Sequence, residues 1–257
     1  MAPQELLRAL RDQNPLVQCI TNYVAMNVAA NVVLAAGASP AMVHAPEEIA
    51  EFTPICGALT VNIGTLSSSW LDSMTTAAKA AHTHSIPWVL DPVAHFISGF
   101  RKDAAQSLLN LRPTIVRGNA SEILALAGEA GAGKGADSGD SVDAALVAAK
   151  TLAGKFGTVV AITGPIDYVT DGHQEARTSG GSPLMPQVTA LGCSQTALMG
   201  AYAASGPAFE AALATLAHFK VAGSAAAKHA RGPGSFQMHF LDALGAAQPA
   251  DLGQVIM

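Results

Sequence analysis

The sequence predicts an α/β protein in which a mostly parallel central sheet is covered by helices on both faces. Three observations lead there. Strand-like runs alternate with helix-like ones through the middle of the chain. The strand-like runs, such as "ALTVNIG" and "GTVVAITG", are apolar almost without interruption, as in strands buried on both faces. Of the 257 residues, 50% are hydrophobic and only 13% are charged, enough apolar side chain to bury a substantial core.

The elements follow in order. "MAPQELLRALRDQNP" reads as an amphipathic helix carrying acidic residues, which argues against a signal peptide. "ALTVNIG" (58–64) is a strand ending at Gly64, and "SSSWLDSMTTAAKAAHTHS" (67–85) a helix with serines available as caps. "IPWVLDPV" (86–93) is a strand closed by Asp-Pro, and "RKDAAQSLLNL" (101–111) a helix. "PTIVRGN" (113–119) is a strand, and "ASEILALAG" opens the next helix. "SVDAALVAAKTLAGKF" (141–156) is a helix that leads into the strand "GTVVAITG" (157–164). "DYVTDGHQEARTSG" resembles a hairpin with an Asp-Gly turn. From Cys193 onward the pattern is almost all helical, beginning with a stripe of Ala197, Leu198, Ala201 and Tyr202. The low-complexity patch "GEAGAGKGADSGD" (128–140) lacks the spacing of a phosphate-binding P-loop and reads as a mobile surface loop. No repeat and no linker divides the chain, so one domain spans 1–257.

Composition excludes several classes of function. The net charge is -5, with no Lys/Arg run, so neither nucleic acid nor an anionic membrane is a bulk partner. Mean hydropathy is high at +0.31. Yet "NVAANVVLAAGA" is too short to cross a bilayer and carries Asn27 and Asn31. That combination leaves room for an oligomer interface. The cysteines, Cys19, Cys56 and Cys193, are an odd number at wide spacing. They fit a reducing cytoplasm and neither a disulfide framework nor a zinc site. His82 and His84 fall on different helix faces, and among the histidines only His95, just after Asp91-Pro92, stands near a strand end of interest.

In parallel sheets the ligand sits beyond the carboxyl ends of the strands. Asn62, Gly64, Asp91, Arg117, Asn119, Glu122, Thr163 and Gly164 all fall there. Asp91 and Glu122 are the kind of carboxylates that help hold Mg²⁺ beside phosphate oxygens, and Asn119 shares a helix face with Glu122. A first-turn carboxylate is also favoured by the helix dipole, and Asp91 before Pro92 also suits a turn. Arg117 suits a phosphate, and Thr163 offers a hydroxyl. Gly192 and Cys193 stand where a loop turns into a helix, a place that attracts anions and lowers a thiol pKa. A cysteine there also serves simply as packing, and the stretch alone leaves both open.

Read in order, "VQCITNYVAMNVAANVVLAAGASPAM" (17–42), "LTVNIGTL" (59–66), "WVLDPV" (88–93), "IVRGNASEI" (115–123), "VVAITGPIDYVTDG" (159–172) and "GPGSFQMHFLDAL" (232–244) resemble the hydroxyethylthiazole kinase family of the ribokinase-like superfamily. "RGNASEI" and "ITNYV" are the most specific of these. The resemblance implies a three-layer αβα fold without a separate lid domain. It implies ATP-dependent phosphorylation of 4-methyl-5-(2-hydroxyethyl)thiazole in thiamine biosynthesis or salvage, with Mg²⁺, in a homotrimer whose sites lie between subunits. By matching position, Met42, Asn22 and Ala190 would bind the thiazole alcohol, and Arg117, Thr163 and Gly192 would bind ATP. Asp91 and Glu122 would organise Mg²⁺ largely through water, supported by Asn119. Cys193 would stand at the anion hole, where relatives carry an aspartate base, and would take the substrate proton.

Two stretches depart from the family pattern. "TALGC" (189–193) has Ala190 in place of a glycine and Leu191 in place of a small or hydroxylated residue. "AHF" (94–96) replaces a glycine-rich stretch. If the backbone needs φ > 0 at 190, alanine is costly there. Leu191 and His95 would then reshape the alcohol pocket, and two other readings stay open: a kinase of another small alcohol such as a pyrimidine or sugar, or a ligand-binding relative without catalysis.

Overall fold

The computed structural model describes residues 1–128 and 139–257; the low-complexity patch read as a surface loop lies almost wholly outside the described residues. The chain runs α1 (Pro3–Gln13), β1 (Leu16–Ile20), α2 (Met26–Ala36), β2 (Ser39–Ala41), α3 (Pro46–Phe52), β3 (Ala58–Asn62), α4 (Ser68–Thr83), β4 (Trp88–Asp91), α5 (Gly99–Leu109), β5 (Ile115–Asn119) and α6 (Ala120–Leu126). It continues with α7 (Gly139–Phe156), β6 (Val159–Thr163), β7 (Asp167–Thr170), β8 (Glu175–Thr178), α8 (Leu191–Ser205), α9 (Ala208–Ala227), α10 (Pro233–Ala246) and α11 (Pro249–Gly253). The strands form one sheet in the order β2-β1-β3-β4-β5-β6-β7-β8. β1 to β6 are parallel, and β7 and β8 add an antiparallel hairpin at one edge. This is the three-layer αβα arrangement that the alternation predicts.

Local chemistry explains where the elements start and stop. The Ser67 hydroxyl accepts from the amide of Trp70 and caps α4. Ser98 does the same for Arg101, so α5 starts at Gly99, before the basic residues from which periodicity began it. β4 is shorter than the apolar run 86–93, because Pro87 and Pro92 lack the N–H a ladder needs. The Asp-Gly turn sits between β7 and β8, with Gly172 at φ +93°. The stretch 16–57 holds β1, α2, β2 and α3, to which periodicity assigned nothing.

Two cores lie on opposite faces of the sheet. Side chains of α1, α2, α8, α9, α10 and α11 pack one face, and those of α3 to α7 pack the other. Successive strand residues alternate between them. Ala58, Val89, Ile115 and Ala161 point to the α8 side, whereas Leu59, Leu90, Val116 and Ile162 point away. Carried on by twos to the carboxyl ends, the α8 side receives Asn62, Asp91, Arg117 and Thr163. Asn62 and Asp91 are direct neighbours in the parallel register. α8 lies close on this face, because a Cβ on Gly200 would run into Thr60 and Val17. Among the described residues no helix is long and apolar enough to cross a membrane.

Candidate active site

Asp91 is the hub of the polar edge. It is fully buried, and its Oδ2 accepts from Thr196 Oγ1 at 2.7 Å, Asn62 Nδ2 at 2.8 Å and Arg117 Nη1 at 3.5 Å. Its Oδ1 is buried with no partner. Burial pushes the carboxyl up to about 6 despite the Arg117 charge, and Glu122 adds to the rise. Arg117 reaches the other way with Nη2 and donates to Thr163 Oγ1 at 2.7 Å, while its Nε is buried without a partner. The start of α8 lies against the guanidinium: a Cβ on Gly192 would come within 3.1 Å of Nη2.

A pair of amides extends the network to the thiol. Asn62 Oδ1 accepts from Gly64 N at 3.0 Å and from Asn22 Nδ2 at 2.8 Å. Asn22 Oδ1 accepts from Ala25 N, and its Nδ2 also points at Cys193 Sγ, 3.3 Å away. Asn22 is pinned by Gly64, where a Cβ would come within 2.7 Å of it. These bonds fix which way both amides face: each oxygen takes a backbone N–H, so each nitrogen points into the network.

Cys193 departs from its sequence-based expectation. The helix-start argument predicts a lowered pKa, but burial raises it, and the Asp91 charge raises it further against the opposing Asn22 bond. A pKa raised above the ordinary thiol range keeps the sulfur protonated near neutral pH. The helix also begins at Leu191 rather than Gly192, with Ala190 as N-cap.

Glu122 is likewise more than a metal-facing carboxylate. With Asn119 it forms a capping box: Asn119 Oδ1 accepts from Glu122 N at 2.9 Å, and Glu122 Oε2 accepts from Asn119 N at 2.8 Å. Its Oε1 accepts from Ala94 N at 3.0 Å. Glu122 therefore holds up α6 and the turn after β4, a structural role beyond the first-turn placement that the helix dipole favours. Both family departures meet this geometry. Ala94 has φ +47° and Ala190 φ +62°, two alanines in the left-handed region where the family pattern has glycine. His95 is buried with Nδ1 on the Pro92 carbonyl, and burial lowers its pKa.

Beside the network opens a cavity of about 690 Å³. Arg117, Thr163 and Gly192 line one part, and Pro183, Met185 and Phe219 line another. Leu191 also lines it, next to Gly192. Met42 stands apart. It follows the edge strand β2, is half-buried against the α8-side core, and makes none of the network's hydrogen bonds. Residue patterning missed Thr196, Lys220 and Asp167. Thr196 lies three residues after Cys193 and so on its helix face, a signal that was present. Lys220 is a lone lysine inside the apolar run of α9, another signal.

A buried carboxylate, an arginine and a helix start, gathered at the carboxyl edge of an αβα sheet beside a cavity, define a phosphate-handling enzyme of ribokinase-like fold. The family model described as the hydroxyethylthiazole kinase family matches residues 7–249, and the chain belongs to that family. It is 79% identical over 256 residues to a hydroxyethylthiazole kinase of Roseobacter denitrificans, covering 100% of both chains. To a hydroxyethylthiazole kinase of Rhizobium rhizogenes it is 61% identical, over 95% of this chain and 92% of the other. The solved hydroxyethylthiazole kinase protein of Pyrococcus horikoshii superposes with a TM-score of 0.92 at 36% identity, covering 99% of this chain and 97% of that one. A pyridoxal kinase of Bacillus subtilis, solved as an ADP complex, shares the fold at TM-score 0.62 and 18% identity, over 81% of this chain and 91% of that one.

Proposed function

We propose that the chain transfers the terminal phosphoryl group of ATP to the primary hydroxyl of 4-methyl-5-(2-hydroxyethyl)thiazole, giving the phosphate used in thiamine biosynthesis or salvage. The observation that carries this is the meeting of Arg117, Asp91 and the start of α8 beside the cavity, in a chain of this family. ATP occupies the cavity, with its phosphates toward Arg117, Thr163 and Gly192. The alcohol comes from the other side, where Asn22 and Cys193 meet and Ala190 turns the chain. The unpaired amides of the first turn of α8 stabilise charge on the moving phosphoryl group. Phosphoryl transfer needs such positioning more than covalent chemistry.

Mg²⁺ fits the residues present. Asp91 Oδ1 is a buried acceptor without a partner. Among the described residues no group of three His, Cys, Asp or Glu could hold a metal by itself, so Asp91 and Glu122, with Asn119 in support, would hold it through waters and phosphate oxygens. It would supply neutralisation of phosphate charge. Cys193 starts as a thiol and takes the hydroxyl's proton only if substrate binding lowers its pKa; Asn22 Nδ2 is placed to stabilise the resulting sulfur charge. Assembly as a homotrimer would bring the Met42 segment to a neighbouring site. In its support, Tyr23 and Val24, next to Asn22, present apolar surface that is 67% and 56% exposed.

An ADP-release assay over a panel of small alcohols tests the reading. The thiazole alcohol should exceed pyrimidine and sugar alcohols in kcat/KM by about 100-fold or more, as a site that hydrogen-bonds its substrate can achieve. ADP release no faster with the thiazole alcohol than with water alone would overturn it.

A further inference from the structure

The cavity wall away from Asp91 is organised by two side chains of α9. Lys220 is 4% exposed, and its ammonium donates to the carbonyls of Gly164 at 2.7 Å and Pro165 at 3.0 Å, and pairs with Asp167 Oδ1 at 3.2 Å. An ammonium has three donors, and all three are used. Asp167 closes the same turn: Oδ1 accepts from Gly164 N at 2.9 Å, and Oδ2 accepts from Thr178 Oγ1 at 3.3 Å. Gly164 directly follows Thr163, the partner of Arg117.

Four residues further along α9, Ser224 acts on the second loop. Its Oγ accepts from Gly181 N at 2.8 Å and donates back to Gly181 O at 3.4 Å. Gly180 and Gly181 have φ +107° and +84°, and a Cβ on Gly181 would come within 3.3 Å of Lys220 Cδ. The 164–167 turn and the 180–181 turn both line the cavity. Residues four apart share a helix face, so one face of α9 grips both walls. Lys220 is neutralised by Asp167 and has no donor to spare, which separates it from a lysine that binds phosphate directly.

We propose that Lys220 and Ser224 are positioning residues for the nucleotide: by holding the 164–167 and 180–181 turns, they set the affinity for ATP without touching the reacting atoms. This rests on the reading of the cavity as the ATP site. A rigid pre-formed wall costs less to order on binding than loops that must be gathered each time.

The test is ATP affinity measured by calorimetry on the whole chain with no alcohol present, together with steady-state kinetics. The variants are Ser224→Ala and the double variant Lys220→Met/Asp167→Asn, which removes both members of the buried pair and leaves no orphan charge. The double variant should raise Kd and KM for ATP about tenfold and Ser224→Ala about threefold, with KM for the thiazole alcohol moving less than twofold. An ATP Kd within about twofold of the parent chain in folded Ser224→Ala and in the folded double variant would overturn the proposal. So would a parallel rise in KM for both substrates, the mark of general loosening. If the double variant does not fold, Ser224→Ala decides alone. A parent chain that binds ATP but leaves the thiazole alcohol unphosphorylated removes the acceptor assignment, and the Kd ratios then judge α9 separately.

Discussion

The Asp91 end of the cleft and the α9 wall bury polar groups in different ways. Around Asp91, side chains bond to side chains across four elements, and atoms are left over: Asp91 Oδ1, Arg117 Nε and, beside Asn22, Thr21 Oγ1. On the α9 wall, side chains bond mainly to backbone, and Lys220 and Asp167 leave no side-chain N or O atom without a partner. Buried polar atoms in native proteins are nearly all paired, so an exception calls for a reason. On the proposed reading, the spare acceptor on Asp91 suits a water or a hydrated cation, and the spare donor on Arg117 suits a phosphate oxygen. Lys220 and Asp167, with their donors and acceptors already engaged, offer a ligand only the shape of the turns they hold. The difference teaches that chemistry belongs where hydrogen-bonding capacity is unspent, and scaffolding where it is spent.

The sharpest way to break this contrast is Asp91→Asn. It keeps an oxygen for Thr196 and Asn62 but leaves the buried Arg117 guanidinium without its carboxylate, so the melting temperature should fall. Turnover should fall on the order of 10²- to 10³-fold, as loss of a positioned charge does. A lower melting temperature with turnover within tenfold would make Asp91 scaffold and erase the contrast.

Cys193 comes next. Its raised pKa predicts slow alkylation by iodoacetamide at pH 7, with the rate climbing through and beyond pH 9, the ordinary thiol range. Burial pushes Cys56 up to about 11 and Cys19 up to about 12, so mass spectrometry should find the label on Cys193 first. Cys193→Ala should lose about ten- to a hundredfold in kcat, below or at the bottom of the range for general-base help, since the proton leaves late in a loose transition state. Rapid labelling at pH 7 would restore the lowered pKa that the helix start alone suggests.

Glu122 tests the boundary between the two kinds of site. Glu122→Gln places an amide group against one of two backbone donors, Asn119 N or Ala94 N. It should cost about 1 kcal/mol in denaturant unfolding, the scale of a lost cap, as well as activity. Lost activity with unchanged stability would assign Glu122 to the ligand side alone.

The smallest effect is expected at the two left-handed alanines. Ala94→Gly and Ala190→Gly should each stabilise the chain by up to about 1 kcal/mol, since relief of the strained φ is partly offset by the freer unfolded glycine. Destabilisation at either position would mean that the alanine methyl packs well enough to outweigh the strain.

What the sequence determined by itself was whatever depends on local geometry. Apolar strand runs and helical stripes located the elements from β3 onward, because the periods of two and 3.6 follow from the covalent backbone. The same period of two, counted to the strand ends, places Asn62, Asp91, Arg117 and Thr163 on one face. Asn119 and Glu122 were legible as a pair for the same reason, their spacing on one helical turn. The short edge strand β2 and the stretch around it carried too few residues for any period to show. Tertiary structure alone decided the rest. Asn22 meets Cys193 across 171 positions of chain, and no periodicity reaches that far. The thiol's pKa moved opposite to the helix-start argument because burial and the Asp91 charge come from other elements. Lys220 became a loop tether only when α9 packed under two turns that are distant from it in sequence. Local structure repeats along the chain and can be counted; burial, fields and hydrogen-bond partners are sums over neighbours that only the folded chain brings together.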